Sequence, residues 1–342
     1  MKHKFTNDYS SLCHPEILDA LYELGEEQNV AYGLDKHSLK AEQYIKDVFD
    51  SPKGQVYFIS GGTMTNLLFI SHALKDYEAV ISLETGHINV HETGAIEGTG
   101  HKIITVKGCN GKIFPNDIKN VLSAYKDEHM VKPKLVYISN STEIGTIYSR
   151  KELIALSEVC EENDLYFFID GARLGSALTS KANDVEPSLL GNICDAFYVG
   201  GAKNGLLLGE ALVINNPSLQ EGFRYQIKNK GAMISKGYLI GAQFEAAFKN
   251  GLYFDIAKGT NEIADYLKEG FNALNLKMLD SPTNQVFVEL NKDDAKTLIR
   301  EFGLELWEDL GDTQIVRFVV SFTTKKEDVD ELISFVKTNL SI

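Results

Sequence analysis

No apolar run in this sequence approaches the ~18 residues that a membrane-spanning helix needs. The N-terminal stretch Met1-Lys2-His3-Lys4-Phe5-Thr6 runs straight into polar residues, with no apolar segment of a secretory leader behind its positive charges, so the expectation is a soluble, unsecreted chain. Cysteine is scarce. Cys13, Cys109, Cys160 and Cys194 lie far apart with no C-x-x-C pair, which argues against a structural zinc site or a compact disulfide framework. All four read as reduced thiols, and a cytoplasmic setting follows from these absences. Positive charge is in deficit: 34 Lys and Arg stand against 48 Asp and Glu, the net charge is −14, and the lysines form no long run. That balance opposes nucleic acid or another polyanion as partner. The GK[ST] ending of a nucleotide P-loop is missing, and no G-x-G-x-x-G follows a strand, so NTP and dinucleotide binding lose their main support. There is no internal repeat and no low-complexity segment.

What remains is an ordinary globular composition, 44% hydrophobic and 24% charged, in 342 residues. That length exceeds one hydrophobic core and predicts two lobes. Between about Val56 and Ile214, short apolar runs alternate with amphipathic stretches. Val56–Ile59, Ala79–Leu83, Lys102–Val106, Lys134–Ile138, Leu165–Ile169, Ala196–Val199 and Glu210–Ile214 read as strands buried on both faces. Asn116–Tyr125 and Glu152–Cys160 repeat apolar residues at three- and four-residue steps and read as helices. Strand and helix in alternation predict an α/β fold with a doubly wound, mostly parallel sheet. Ahead of it an N-terminal arm carries a helix opened by Pro15 and a second that Ser38 is expected to cap. Behind it come a helix from Phe254 to Leu274, a strand Val286–Leu290, a helix from Asp293, a strand Ile315–Phe322 and a helix from Glu327. The expected division is 1–249, arm and large domain, and 250–342, a small α+β domain.

Three features carry chemistry. In Ser60-Gly61-Gly62-Thr63-Met64-Thr65-Asn66 a strand gives way through glycines to a helix, so free N–H groups and a helix dipole meet as an anion cradle. A plain tight turn, with Thr63 or Thr65 as cap, is the alternative. Asp170 follows the strand Leu165–Ile169, at the carboxyl end of a central strand where open α/β sheets bind ligands, although an Asp there also serves turns. Lys203 sits among glycines just past another buried strand. A lysine so placed can be desolvated, which lowers its pKa and makes its amine nucleophilic toward an aldehyde. Singly each has a bland explanation, but together they supply what pyridoxal 5'-phosphate requires: a phosphate cradle, a carboxylate for the ring nitrogen and an amine for the aldehyde.

The sequence resembles the low-specificity threonine aldolases, in the β-eliminating-lyase branch of fold-type-I pyridoxal-phosphate enzymes. The resemblance runs nearly end to end and is carried by Ser60–Asn66, Ile169-Asp-Gly-Ala-Arg173, Gly200-Gly-Ala-Lys-Asn-Gly205 and Arg317-Phe-Val-Val-Ser321. It implies retro-aldol cleavage of threonine, allo-threonine or a related β-hydroxy-α-amino acid to glycine and an aldehyde, in a homotetramer with sites at subunit boundaries. By the same resemblance Gly62, Thr63 and Met64 cradle the phosphate, Asp170 pairs with the ring nitrogen, and Lys203 carries the cofactor. Arg173 lies near the cofactor's phenolic oxygen and the substrate carboxylate, His87 stacks over the ring, and Tyr32, Asn7 and Arg317 face the substrate. His87 and His91, four apart, could instead hold a metal, but no third ligand is evident and stacking is preferred. The family's Asn-Thr-His motif reads Asn140-Ser-Thr-Glu143 here, so Glu143 stands where a histidine contacts the substrate hydroxyl. The Ser-Asp-Thr pattern reads Asn7-Asp8-Tyr9, and a phosphate-binding segment is replaced by Lys228–Lys236 with several candidate lysines. His87 and Glu143 are the candidates for the base, with His87 acting through water and Glu143 accepting from the hydroxyl. Rival readings are a β-elimination on another amino acid and a pyridoxal-phosphate-binding protein without turnover.

Overall fold

The computed structural model describes residues 4–341. Seven strands, β1 (Gln55–Ile59), β2 (Glu78–Leu83), β3 (Lys102–Val106), β4 (Lys132–Ser139), β5 (Tyr166–Asp170), β6 (Ala196–Gly200) and β7 (Glu210–Ile214), form one sheet in the order β1-β7-β6-β5-β4-β2-β3. Every neighbouring pair from β6 to β3 is parallel, and β7 alone runs against both its neighbours. The strands read as apolar runs because both faces are covered: every residue of β2, β6 and β7 is buried. Alternation then sorts side chains. Val136, Ile138, Phe167 and Ile169 pack into one face, and Tyr137, Phe168 and Tyr198 into the other.

A second, antiparallel sheet is ordered β10-β11-β9-β8, from β8 (Lys277–Met278), β9 (Gln285–Asn291), β10 (Glu305–Asp309) and β11 (Thr313–Val319). The long helix Leu252–Ala273 and the final helix Lys326–Asn339 bury Leu267, Phe271, Leu332 and Val336 with Val316 and Phe318 of the sheet. Phe5 is 1% exposed in this same core, and its carbonyl accepts from the Val319 N–H at 2.8 Å, so the N-terminal segment crosses to this sheet.

Three local expectations are corrected. Ser38 does not cap the second helix. Asp35 does, its carboxylate accepting from His37 and Ser38 N–H at 3.0 and 2.9 Å, while Ser38 lies within Lys36–Phe49. Asp35 wins because a carboxylate can accept both orphan N–H groups at once. The last strand stops at Val319, where the chain turns away and Val320 N–H bonds Asn284 instead. β8 and β10 were not foreseen: β8 has only two residues, and β10 is mostly exposed and charged, so it has no apolar signature.

Candidate functional site

The carboxyl ends of β1, β4, β5 and β6 meet at one edge of the large sheet, as open α/β folds bring ligand-binding residues together. Asp170, last residue of β5, is 3% exposed. Its Oδ2 accepts from Tyr137 Oη at 2.6 Å and Asn66 Nδ2 at 3.0 Å, and its Oδ1 from the Tyr198 hydroxyl and the Ala172 N–H. Burial opposes the charge, but His87 and the donors from Tyr137, Tyr198 and Asn66 outweigh it, so the carboxyl lies below its ordinary range. A buried group that stays ionised is poised to pair with a cation.

Lys203 follows β6 in the single turn Ala202–Asn204. The backbone here is packed too closely for side chains: a Cβ on Gly171 would lie 1.8 Å from the Tyr198 carbonyl oxygen, and one on Gly200 would lie 2.2 Å from that of Ala172. Burial, then the charge of Arg173, lowers the pKa of Lys203. Glu210, opposite Gly200 on β7, is pushed up by burial even though its Oε2 accepts from Gly201 N–H at 2.7 Å. Arg173 gives Nε and Nη2 to Asp8 at 2.7 and 3.0 Å. Asp8 is buried at 2% exposure, and although burial works against it, the Arg173 charge holds its carboxyl low.

The turn after β1 makes the cradle. The helix Gly62–Ala73 starts with Gly61 at its cap and no capping side chain; Thr65 sends its hydroxyl to the Gly61 carbonyl at 3.0 Å. By helix geometry the N–H groups of Gly62, Thr63 and Met64 have no carbonyl behind them. A Cβ on Gly62 would reach the Tyr198 hydroxyl at 3.0 Å, so glycine lets the cradle sit against the hydroxyl that holds Asp170.

His87 opens a four-residue helix, and its Nδ1 lies 2.8 Å from Glu92 Oε1, on a side chain with no solvent exposure. Asn66 divides its amide between Glu92 at 2.8 Å and Asp170, so one network ties both carboxylates to the histidine. Glu143 accepts at Oε1 from the His87 N–H at 3.0 Å and the Ser139 hydroxyl at 2.7 Å, and burial raises its carboxyl above the ordinary range. His91, whose ring centroid is 5.5 Å from that of His87, is lowered by burial and then by the His87 charge. Among the described residues no group of three or more His, Cys, Asp or Glu is arranged to hold a metal.

Gly62, Thr63, His87, Glu143, Asp170, Arg173 and Lys203 line one cavity of about 300 Å³. An adjoining cavity of about 280 Å³ shares His87, Glu143, Arg173 and Lys203 and extends to Arg317, Glu305 and Trp307. Met64 packs with the apolar residues under the cradle. Two candidates lie elsewhere in the single chain. Asn7 turns its amide oxygen to Tyr9 N–H and the Ser10 hydroxyl. Tyr32, at φ 66°, stands beside Lys228, whose Nζ is 5.2 Å from its ring. A larger groove, about 640 Å³, lies by Ser51, Cys160 and Asn215 at the other end of the strands, away from all this chemistry. Sequence reasoning missed the roles of Asp8, Glu92, Tyr137 and Tyr198. For the tyrosines a signal existed, since a phenol in a strand buried on both faces must find a polar partner.

Residues 6–293 match the family described as beta-eliminating lyase. The low specificity L-threonine aldolase of Pseudomonas aeruginosa is 31% identical over 333 residues, 96% of this chain and 94% of that protein. Another of the same description, from a Pseudomonas sp. strain, is 30% identical over 342 residues, 98% and 97% of the two chains. Among solved structures, that of a threonine aldolase from Leishmania major is 42% identical with a TM-score of 0.95, over 97% of this chain and 98% of the other.

Proposed function

We infer, from the premise that this chain belongs to the β-eliminating lyase family, that it cleaves L-threonine, L-allo-threonine or a related β-hydroxy-α-amino acid to glycine and an aldehyde, with pyridoxal 5'-phosphate as cofactor. The fold-type-I architecture expected from the sequence is borne out. The observation that carries the reading is the convergence of Gly62 and Thr63 of the cradle, the ionised Asp170 and the desolvated Lys203 on one cavity. These residues fit the cofactor: the helix N-terminus suits its phosphate, Asp170 its protonated ring nitrogen and Lys203 its aldehyde. When bound, the cofactor supplies the electron sink that takes up the pair released as Cα–Cβ breaks.

The chain's own residues do the rest. Arg317, with Arg173 beside it, binds the substrate carboxylate, which fixes which bond of Cα can break. His87, its Nδ1 given to Glu92, presents Nε2 as the base for the β-hydroxyl proton through a water. Glu143 has Oε1 engaged, which leaves Oε2 to accept from that hydroxyl.

The reading includes a cytoplasmic homotetramer in which Tyr32 and a lysine of Lys228–Lys236 serve a neighbour's site. Its support is a run of exposed apolar side chains in the N-terminal arm, Leu12, Leu18, Tyr22, Val30 and Leu34, which a second copy would cover. Among the described residues no helix is long and apolar enough to cross a membrane.

The test is product analysis. Purified protein loaded with pyridoxal phosphate is mixed with L-threonine and L-allo-threonine, and glycine with acetaldehyde is expected. Pyruvate or another keto acid with ammonia would move the chain to β-elimination, and no product at all would make it a binding protein. Borohydride reduction and peptide mapping should place the pyridoxyl group on Lys203; any other lysine rejects that assignment.

A further inference from the structure

Arg317 offers five N–H donors, and the structure uses them unevenly. Nη1 donates to Gln285 Oε1 at 3.3 Å, Nη2 is taken by Glu305 Oε2, and Nε is buried with no partner. Trp307 covers the guanidinium, 5.2 Å from its ring centroid. Along the side-on edge of the guanidinium, Nε therefore has no partner and Nη2 is already bonded to a carboxylate of the protein itself.

Strand pairing builds this arrangement. Glu305 on β10 and Arg317 on β11 are directly opposed, and the register shift between Leu306 and Glu308 lets Trp307 turn back over the pair. The two partners are unequal. The Arg317 side chain is 12% exposed, whereas that of Glu305, on the edge strand, is 47% exposed. Water competes for a half-exposed carboxylate, so its grip is weak. A carboxylate that takes both Nε and Nη2 satisfies the orphaned donor as well, and bidentate pairing is the stronger geometry. Glu305 and Arg317 line the cavity that reaches Lys203, so an incoming substrate meets both.

Resting on the reading of Arg317 as the carboxylate anchor, we propose that Glu305 is a built-in competitor for that anchor. It holds Arg317 while the site is free, and the α-carboxylate of the amino acid displaces it by forking onto Nε and Nη2. Glu305 thus sets the affinity of the site: it keeps the buried guanidinium paired between turnovers and weakens the binding of each substrate and product carboxylate.

Glu305→Gln keeps the shape without the charge, and Glu305→Ala removes both. In the holoenzyme each should lower KM for threonine by roughly 1.5- to fivefold, the fold-change expected when a half-exposed ion pair no longer competes. The change should fall on KM and not on kcat, and the dissociation constant for glycine, measured by calorimetry on the same preparations, should fall by a similar factor. Constants that stay level or rise in both variants overturn the proposal and make Glu305 a strut that orients Arg317. Arg317→Ala, measured alongside, separates the two failures. If it leaves KM and glycine binding unchanged, the anchor reading itself is wrong, whatever the Glu305 variants do.

Discussion

At the scale of single residues the decisive question is which group takes the proton. His87 and Glu143 sit together, the backbone N–H of one bonded to the carboxylate of the other, but their surroundings differ. Glu92 faces His87 Nδ1 from a fully buried position, which fixes the ring and leaves Nε2 for chemistry. Burial raises the Glu143 carboxyl and so strengthens it as a base, but two donors already hold its Oε1, so we place it as the hydrogen-bond partner of the hydroxyl and His87 as the base. His87→Phe, which keeps a flat ring at this position, should therefore lose about 10²–10⁴-fold in kcat, the ordinary worth of general acid–base catalysis. Glu143→Gln should retain substantial cleavage and mainly change the preference between threonine and allo-threonine. Initial rates at saturating substrate across pH decide the matter. A dead Glu143→Gln with an active His87→Phe would exchange the roles.

At the scale of elements, the site depends on how closely the turn after β5 approaches β6. The Cβ of Gly171→Ala would lie 1.8 Å from the carbonyl oxygen of Tyr198, the residue whose hydroxyl holds Asp170. Overpacking of this kind costs about 1–3 kcal/mol or more, so the variant should unfold at clearly lower urea and lose the Asp170 geometry. Gly61→Ala meets nothing within 4 Å and has φ 176°, ordinary extended backbone, so its unfolding free energy should stay within about 0.5 kcal/mol of the parent's and its midpoint should barely move. Similar midpoints for the two would show that the turn can relax. The same elements explain what was legible in the sequence. β1 to β7 were readable because most of their residues are buried and apolar. β10, with Glu305, Glu308 and Asp309 exposed, exists through its pairing with β11 and carries no pattern of its own. In the site, Asp170 and Lys203 stood out because strand ends and glycines flank them. Glu92 did not, because it reaches His87 only after the helix His87–Val90 ends and the chain turns back, and no periodicity marks that contact.

At the scale of the whole molecule, Asp8 is the point where three separate stretches of chain are joined. It comes from the N-terminal segment, binds Arg173 after β5, and accepts from Asn284 Nδ2 at 3.0 Å just before β9, while Asn284 also donates to the Val320 carbonyl at 2.9 Å. Asp8→Asn would leave Arg173 charged and buried without its counter-ion, a loss that typically costs about 3–5 kcal/mol. The penalty must depend on pH, and its direction follows from the carboxyl itself. In the unfolded chain Asp8 titrates near its ordinary value of 3.8, and in the folded chain Arg173 holds it lower, against the pull of burial. Acid therefore protonates the unfolded state first. The stability that Asp8 contributes is fully present above 3.8 and drains away as pH falls through the lower folded value. Urea midpoints of the parent and Asp8→Asn should accordingly lie far apart at neutral pH and converge in strong acid, where both proteins carry a neutral group at this position. A gap of constant width down to that range would mean that the variant is weakened by lost packing and not by the lost charge, and the joint would then be steric in origin.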